Sequence, residues 1–202
     1  MEHTVNSITI RGQLQQLPRF SHENHGKRFF RFTLDVPRLS EAVDSLPVIA
    51  PEELLAPIDP TGGCMLTVHG QIRSHNQRTD GTRHLLIFVF ATQITVCDDE
   101  PFNDVYLEGT LCKAPTYRHT PLGRQICDVM LAVPRAFHRA DYLPCILWGR
   151  IAQEISSCTV SDRICIQGRL QSRIYTKLTD KGPQERTAYE ISALSAHLLA
   201  QQ

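Results

Sequence analysis

Apolar and polar residues alternate along most of this chain, in short runs separated by Gly, Pro and polar clusters. A period of two marks half-buried β-strands. In the second half, "VYLEGTL" (105–111), "ICDVMLAV" (126–133), "LPCILWG" (143–149), "RICIQGRLQSRIY" (163–175) and "TAYEISAL" (187–194) read as strands. A turn segment containing Pro115, Pro121 and Gly123 follows the first, and a polar hairpin, "TKLTDKGPQER" (176–186), precedes the last. "RIAQEISSC" (150–158) breaks the alternation. Its apolar residues at 151, 152 and 155 have the spacing of a short helix face. The Gly in the middle of "RICIQGRLQSRIY" predicts a bulge at which a barrel strand bends.

The first half repeats this pattern. At an offset of 97, identical pairs run from Gly12/Gly109 and Leu14/Leu111 through Arg38/Arg135, Asp44/Asp141 and Pro47/Pro144 to Ile58/Ile155. One extra residue then enters, and "TVHGQIRS" (67–74) matches "CIQGRLQS" (165–172) at an offset of 98. A duplicated unit of roughly 100 residues follows. The elements of the first copy are "SITIRGQL", "FFRFTLDV", "SLPVIA", a short helix near "PEELLA", "CMLTVHGQIRS" and "HLLIFVFATQITV". That last run reads as longer and more apolar than its counterpart, which predicts a covered or doubly buried strand. The expected fold is all-β with short helices: two tandem OB-folds, each a five-stranded Greek-key barrel with its helix between strands three and four. The expected domains are 1–98 and 104–202, with the seam near "CDDEPFND" (97–104).

Composition is that of a globular chain, with 42% hydrophobic and 21% charged residues and no net charge. Residues 1–100 carry nine Lys/Arg against twelve Asp/Glu, so the basic surplus lies in the second half. No apolar run is long enough for a membrane span, and "MEHTVNSITI" has no basic-then-apolar leader, so a cytoplasmic location is expected. The seven cysteines are odd in number and none has C-x-x-C spacing, so they read as reduced thiols rather than a disulfide framework or zinc site. The histidines are scattered, and no Walker, H-E-x-x-H or G-x-S-x-G motif occurs. No catalysis, metal or cofactor is expected.

The second copy interleaves rings with basic groups. Phe137, Tyr142, Trp148 and Tyr175 alternate with Arg135, Arg139, Arg150, Arg169 and Arg173. Stacking rings and phosphate-tracking cations are what a single-stranded nucleic acid requires, at about 1–3 kcal/mol per stacked base. In the third strand, Cys145 and Leu147 share one face while Tyr142, Ile146 and Trp148 share the other. The pattern leaves open which face packs the barrel, and so whether Trp148 is core or platform.

These residues resemble the bacterial single-stranded DNA-binding protein family. "VYLEGTLCKAPTYRHTPLGRQICDVMLAV" is similar to that family's first hairpin and second strand. "DYLPCILWGRIAQEIS" is similar to its aromatic-Gly-Lys/Arg segment leading into the helix, and "DRICIQGRLQSRIY" to its fourth-strand signature. The resemblance covers about 105–195. It implies base stacking on Phe137, Tyr142, Trp148 and Tyr175, and phosphate contacts from Lys113, Arg118, Arg150 and Arg173. His119 stands where the family often has Tyr, and the family usually has Trp at two or three of the stacking sites, where this chain, Trp148 apart, has Tyr or Phe.

The first copy has Ser40, Ser45, Pro51 and Gln77 at the four stacking positions. It therefore reads as mainly structural or an oligomerisation partner. Arg19, Lys27, Arg28 and Arg31 beside Phe20, Phe29 and Phe30 leave room for some contact with a strand. The family's acidic tip has a counterpart only in the internal "DDEPF" (98–102), expected as an acidic linker. The resemblance implies single-stranded DNA binding in replication, recombination or repair, with replication proteins as partners and a homodimer supplying four OB domains. The alternatives are a primosome-type or mobile-element accessory protein working through protein partners, and a structural assembly module.

Overall fold

The computed structural model describes residues 5–58, 63–79, 82–179 and 182–200. The first barrel comprises β1 (Asn6–Leu14), β2 (Arg19–Asn24), β3 (Lys27–Pro37), β4 (Val43–Pro51), β5 (Met65–Thr79) and β6 (Thr82–Val96). The second comprises β7 (Phe102–Leu111), β8 (Thr116–His119), β9 (Gln125–Arg135), β10 (Arg139–Trp148), helix α1 (Gly149–Ser156), β11 (Arg163–Thr179) and β12 (Gly182–Leu198). Each closes on itself. In the first, β1 pairs with both β3 and β5, and β4 meets β6 in parallel at Ile49↔Phe90. In the second, β7 pairs with β9 and β11, and β10 meets β12 at Ile146↔Ser192. These are two tandem OB-folds. Inside them pack alternate residues of the strands other than β2 and β8, among them Ile10, Leu34, Leu46, Val48 and Val89, and then Leu107, Leu131, Leu143, Leu147 and Ile166.

Three details differ from the sequence reading. An extra strand, β2 or β8, forms each barrel's hairpin arm. Both are short and almost wholly exposed, so neither carries the alternation that reveals a strand. The helix expected at "PEELLA" is a single turn, Glu52–Leu54, because Pro57 disfavours helical backbone at the residue before it. Finally β6 has 15 residues against 17 in β12, so it is not the longer strand, and Leu85 and Leu86 on it are exposed. The tip of the hairpin read at 176–186 lies outside the described residues at 180–181.

The predicted bulge is present in both copies, between His69 and Gly70 and between Gln167 and Gly168. A Cβ at Gly168 would drive into the Ser192 carbonyl oxygen, and one at Gly70 into that of Phe90. Glycine is there for close backbone approach.

The barrels join edge to edge. β1 pairs antiparallel with β7, giving one continuous twelve-stranded sheet. Ile8 pairs with Val105, its own repeat equivalent, so a pseudo-two-fold axis passes through that pair. Two reciprocal latches flank the axis. Asp44 of the first barrel accepts from the Ser172 backbone N–H of the second at 2.6 Å, and Arg38 clamps the same carboxylate through two nitrogens at 2.5 and 2.7 Å. Arg38 also donates to the Ser172 carbonyl at 2.9 Å. Asp141 of the second barrel accepts from the Ser74 N–H of the first at 2.7 Å and from Arg73 and Arg135 at 3.0 and 3.3 Å. Both aspartates are buried. A buried carboxylate is tolerated only when paired: Arg38 pairs Asp44 within its own barrel, Arg73 pairs Asp141 across the boundary, and each aspartate also accepts a backbone N–H from the other barrel.

Candidate nucleic-acid interface

On β10 the barrel core takes Leu143, Cys145 and Leu147, all at most 1% exposed. Tyr142, Ile146 and Trp148 therefore face outward, and the strand-three ambiguity resolves in favour of an outward Trp148. Its indole N–H donates to the Ser192 hydroxyl on β12 at 3.1 Å, which fixes the ring against the neighbouring strand. Gly149, at φ +57, then turns the chain directly from β10 into α1.

Trp148 lies in a groove of about 760 Å³ that also carries Ile126, Ile146, Arg118, Arg124, Arg169, Gln171, Arg173 and Ser192. Arg38 of the first barrel forms part of its wall. The Nε of Arg169 is buried and makes no hydrogen bond among the described residues. An orphaned buried donor costs about 1–3 kcal/mol, a cost that a phosphate or base oxygen in the groove would relieve.

Two carboxylates share the groove. Asp128 accepts from Arg118 through both oxygens at 2.5 and 3.2 Å, and Glu190 lies 3.6 Å from Arg173 while accepting from Gln171 at 3.1 Å. The hydrogen bonds to Asp128 and to Asp44 raise the Arg118 and Arg38 guanidinium pKa values above their ordinary value. These arginines are charged and already engaged, so an incoming phosphate must compete with a carboxylate for them.

The eight residues singled out by sequence do not form a single cluster. Trp148, Arg118 and Arg173 line the groove. Tyr175 follows Arg173 on β11, whose guanidinium sits 5.6 Å from the Tyr175 ring centroid. Tyr142 is exposed beside the barrel junction, its backbone N–H donating to the Ser74 hydroxyl at 2.7 Å. Phe137 is 90% exposed at the tip of the β9–β10 turn, where it and His138 both have positive φ. It lines a second concavity with Arg135, Arg139 and Pro134. Lys113 is exposed in the β7–β8 turn, and Arg150 is exposed on α1 and paired with Glu154 at 3.1 Å. Arg135, read as one of the interleaved cations, is diverted to the Asp141 latch.

The sequence reading did not pick out Arg38, Arg124, Gln171, Glu190 or Ser192 for this groove. Arg38 comes from the other copy, which no pattern within the second copy can reveal. Ser192 and Glu190 carry no ring or positive charge, so a search for stacking and phosphate groups passes over them. Tyr117, on the hairpin arm edge-on to His119 at 5.6 Å, is a further exposed ring.

Comparison with known proteins bears on the same region. Residues 102–199 match the model of the single-strand binding protein family. A single-stranded DNA-binding protein B of Bacillus subtilis (strain 168) is 37% identical over 81 residues, which are 37% of this chain and 72% of that protein. A single-stranded DNA-binding protein 1 of Staphylococcus aureus (strain COL) is 36% identical over 80 residues, and the match spans about half (48%) of its length. The wild-type single-stranded DNA-binding protein of Thermus aquaticus superposes over 98% of this chain and 94% of its own with a TM-score of 0.79 at 20% identity, which shows a shared fold across both barrels. The chain belongs to the single-strand binding protein family.

Proposed function

We propose that this protein binds single-stranded DNA without strong sequence preference, with the Trp148 groove of the second barrel as its principal seat. The observation that carries this is the outward Trp148, fixed by Ser192 among four arginines of its own barrel, one with an unpaired buried nitrogen. Bases stack on Trp148, Tyr175, Tyr142 and Phe137 in turn, while Lys113, Arg118, Arg150 and Arg173 follow the backbone. Rings tolerate any base, so the binding is sequence-tolerant. Because each phosphate contact releases condensed counterions, affinity falls with salt, with a log–log slope of about −0.7 per contact.

The role we assign is protective binding in replication, recombination or repair in the cytoplasm, with no catalytic step. Two barrels per chain make a homodimer the assembly that supplies four, which sedimentation equilibrium tests directly. For the site, the test is Trp148→Ala with Tyr175→Ala. Losing two stacked bases is expected to cost about 2–6 kcal/mol of poly-dT affinity. Unchanged affinity in that double variant would remove the groove from the reading.

A further inference from the structure

The first barrel lacks all four ring positions of its sister, yet the face equivalent to the Trp148 groove is not bare. Pro51 stands in place of Trp148, and across from it on β3 is Phe29, where the second barrel has Ile126. Ser192, the residue that anchors Trp148, corresponds to Phe90. Each is the parallel partner of the equivalent strand residue (Ile146 and Ile49), and each directly precedes the alanine opposite the bulge glycine. Phe29 and Phe90 lie 5.9 Å apart, and His22 stacks on Phe29 at 4.9 Å and 9°. A ring platform thus sits on the same face, supplied by β2, β3 and β6 instead of β4.

The charges change in the same sense. The two carboxylates that occupy the second groove, Asp128 and Glu190, correspond to Arg31 and Phe88 in the first barrel. Arg31 is paired directly across the strands with Arg19, and neither has a carboxylate partner among the described residues. Like charges placed opposite one another are unfavourable unless an anion joins them. Asp35 lines the same concavity as these two arginines, its carboxylate accepting from the Ser45 hydroxyl at 2.7 Å. Rings beside an arginine pair that has no carboxylate partner among the described residues suit a ligand offering bases and a phosphate together, which single-stranded nucleic acid does and an apolar protein face does not.

We propose that the first barrel is a second seat for single-stranded DNA, in which Phe29 and Phe90 take over stacking from the absent Trp and Arg19 and Arg31 hold phosphate. The inference rests on the family's mode of binding proposed above, but on different residues. A strand leaving the Trp148 groove would continue onto this barrel, and the protein would occlude more DNA than one barrel can.

The test exchanges the platform for the residues the sister barrel carries, Phe29→Ile with Phe90→Ser, substitutions already housed by the same fold. Trp148, the chain's single tryptophan, reports occupancy of the second barrel alone. Oligo-dT of about 12 nucleotides fits one barrel, and about 30 spans two. The expected result is unchanged binding of the short strand by Trp148 quenching. The long strand should bind about five- to 150-fold more weakly for each lost base stack, and fewer nucleotides should be occluded at saturation. Unchanged long-strand affinity and occlusion would overturn the proposal while leaving the Trp148 seat intact. Adding Trp148→Ala to the Phe29→Ile/Phe90→Ser variant, followed by the anisotropy of a dye-labelled short strand, separates the two readings, because with both platforms removed unchanged short-strand binding means failure of the principal seat. A variant whose sedimentation changes while its DNA binding does not would make the platform an assembly surface and equally overturn the proposal. Should the exchange unfold the barrel, ultraviolet cross-linking of long oligo-dT to the unaltered protein decides. Adducts on the Phe29 and Phe90 peptides are expected, and their absence beside adducts on the Trp148 peptide counts against the second seat.

Discussion

At the scale of single residues, the groove carries its own competitors. Asp128 and Glu190 hold Arg118 and Arg173 in ion pairs that DNA must displace. Asp128→Asn and Glu190→Gln keep the shape and remove the charge. Each is expected to tighten oligo-dT binding severalfold at low salt, with the gain shrinking as ions screen it; weaker binding in both would mean that the carboxylates position the arginines for DNA. The thiols give a second prediction. Burial, with Asp128 alongside, pushes Cys127 up to about 11, and burial pushes Cys145 up as well. Only the thiolate is reactive, so these two should resist a thiol reagent at pH 8 in the native protein and react on unfolding. An unfolded cysteine ionises near 8.5, so the raised Cys127 stabilises the fold fully below that pH, and its contribution is lost as pH rises toward about 11. Urea midpoints measured from pH 8 to 10.5 should therefore fall.

At the scale of elements, Gly168 is the position where sequence and structure agree most closely. A glycine within an apolar alternation predicts a bulge, and the register shift falls there. Gly168→Ala is expected to destabilise the second barrel by about 1–3 kcal/mol through overpacking against the Ser192 carbonyl, measured by urea unfolding followed at Trp148. The same substitution should disturb Ser192, and hence the Trp148 indole, so an altered emission maximum in the native state would accompany it. The barrel strands were legible because each buries one face, and period two reports that directly. The hairpin arms were not, because β2 and β8 bury almost nothing. The outward direction of Trp148 was not legible either, since both faces of β10 carry apolar side chains. The equivalence of Phe90 with Ser192 was hidden for a different reason. The second hairpin is longer, with 17-residue strands against 15, so the repeat offset changes inside it and a linear alignment sets the wrong residues side by side.

At the scale of the whole molecule, the repeat identities Asp44/Asp141 and Arg38/Arg135 gain a reason the sequence could not give. They are the parts of two latches, each reaching across to a Ser equivalent in the other barrel. Removing Asp44 strands the Arg38 guanidinium and the Ser172 N–H; removing Asp141 does the same to Arg73 and Ser74. Breaking a buried pair by deleting one partner costs about 3–5 kcal/mol, so Asp44→Ala and Asp141→Ala should each lower stability by that order. The more informative outcome is cooperativity. With both latches intact, the continuous sheet through β1 and β7 should unfold as one unit, so Trp148 fluorescence, which sees only the second barrel, and far-ultraviolet circular dichroism, which sees both, should give coincident curves. With both aspartates replaced, only the six β1–β7 pairs and weaker contacts join the barrels, and the two curves should separate. Coincident curves in the double variant would assign the coupling to the β1–β7 ladder and leave the latches a local role. Separated curves would also bear on binding. Arg38 walls the Trp148 groove only while its latch holds it there, so the loosened variant should bind oligo-dT more weakly although no ring has been touched.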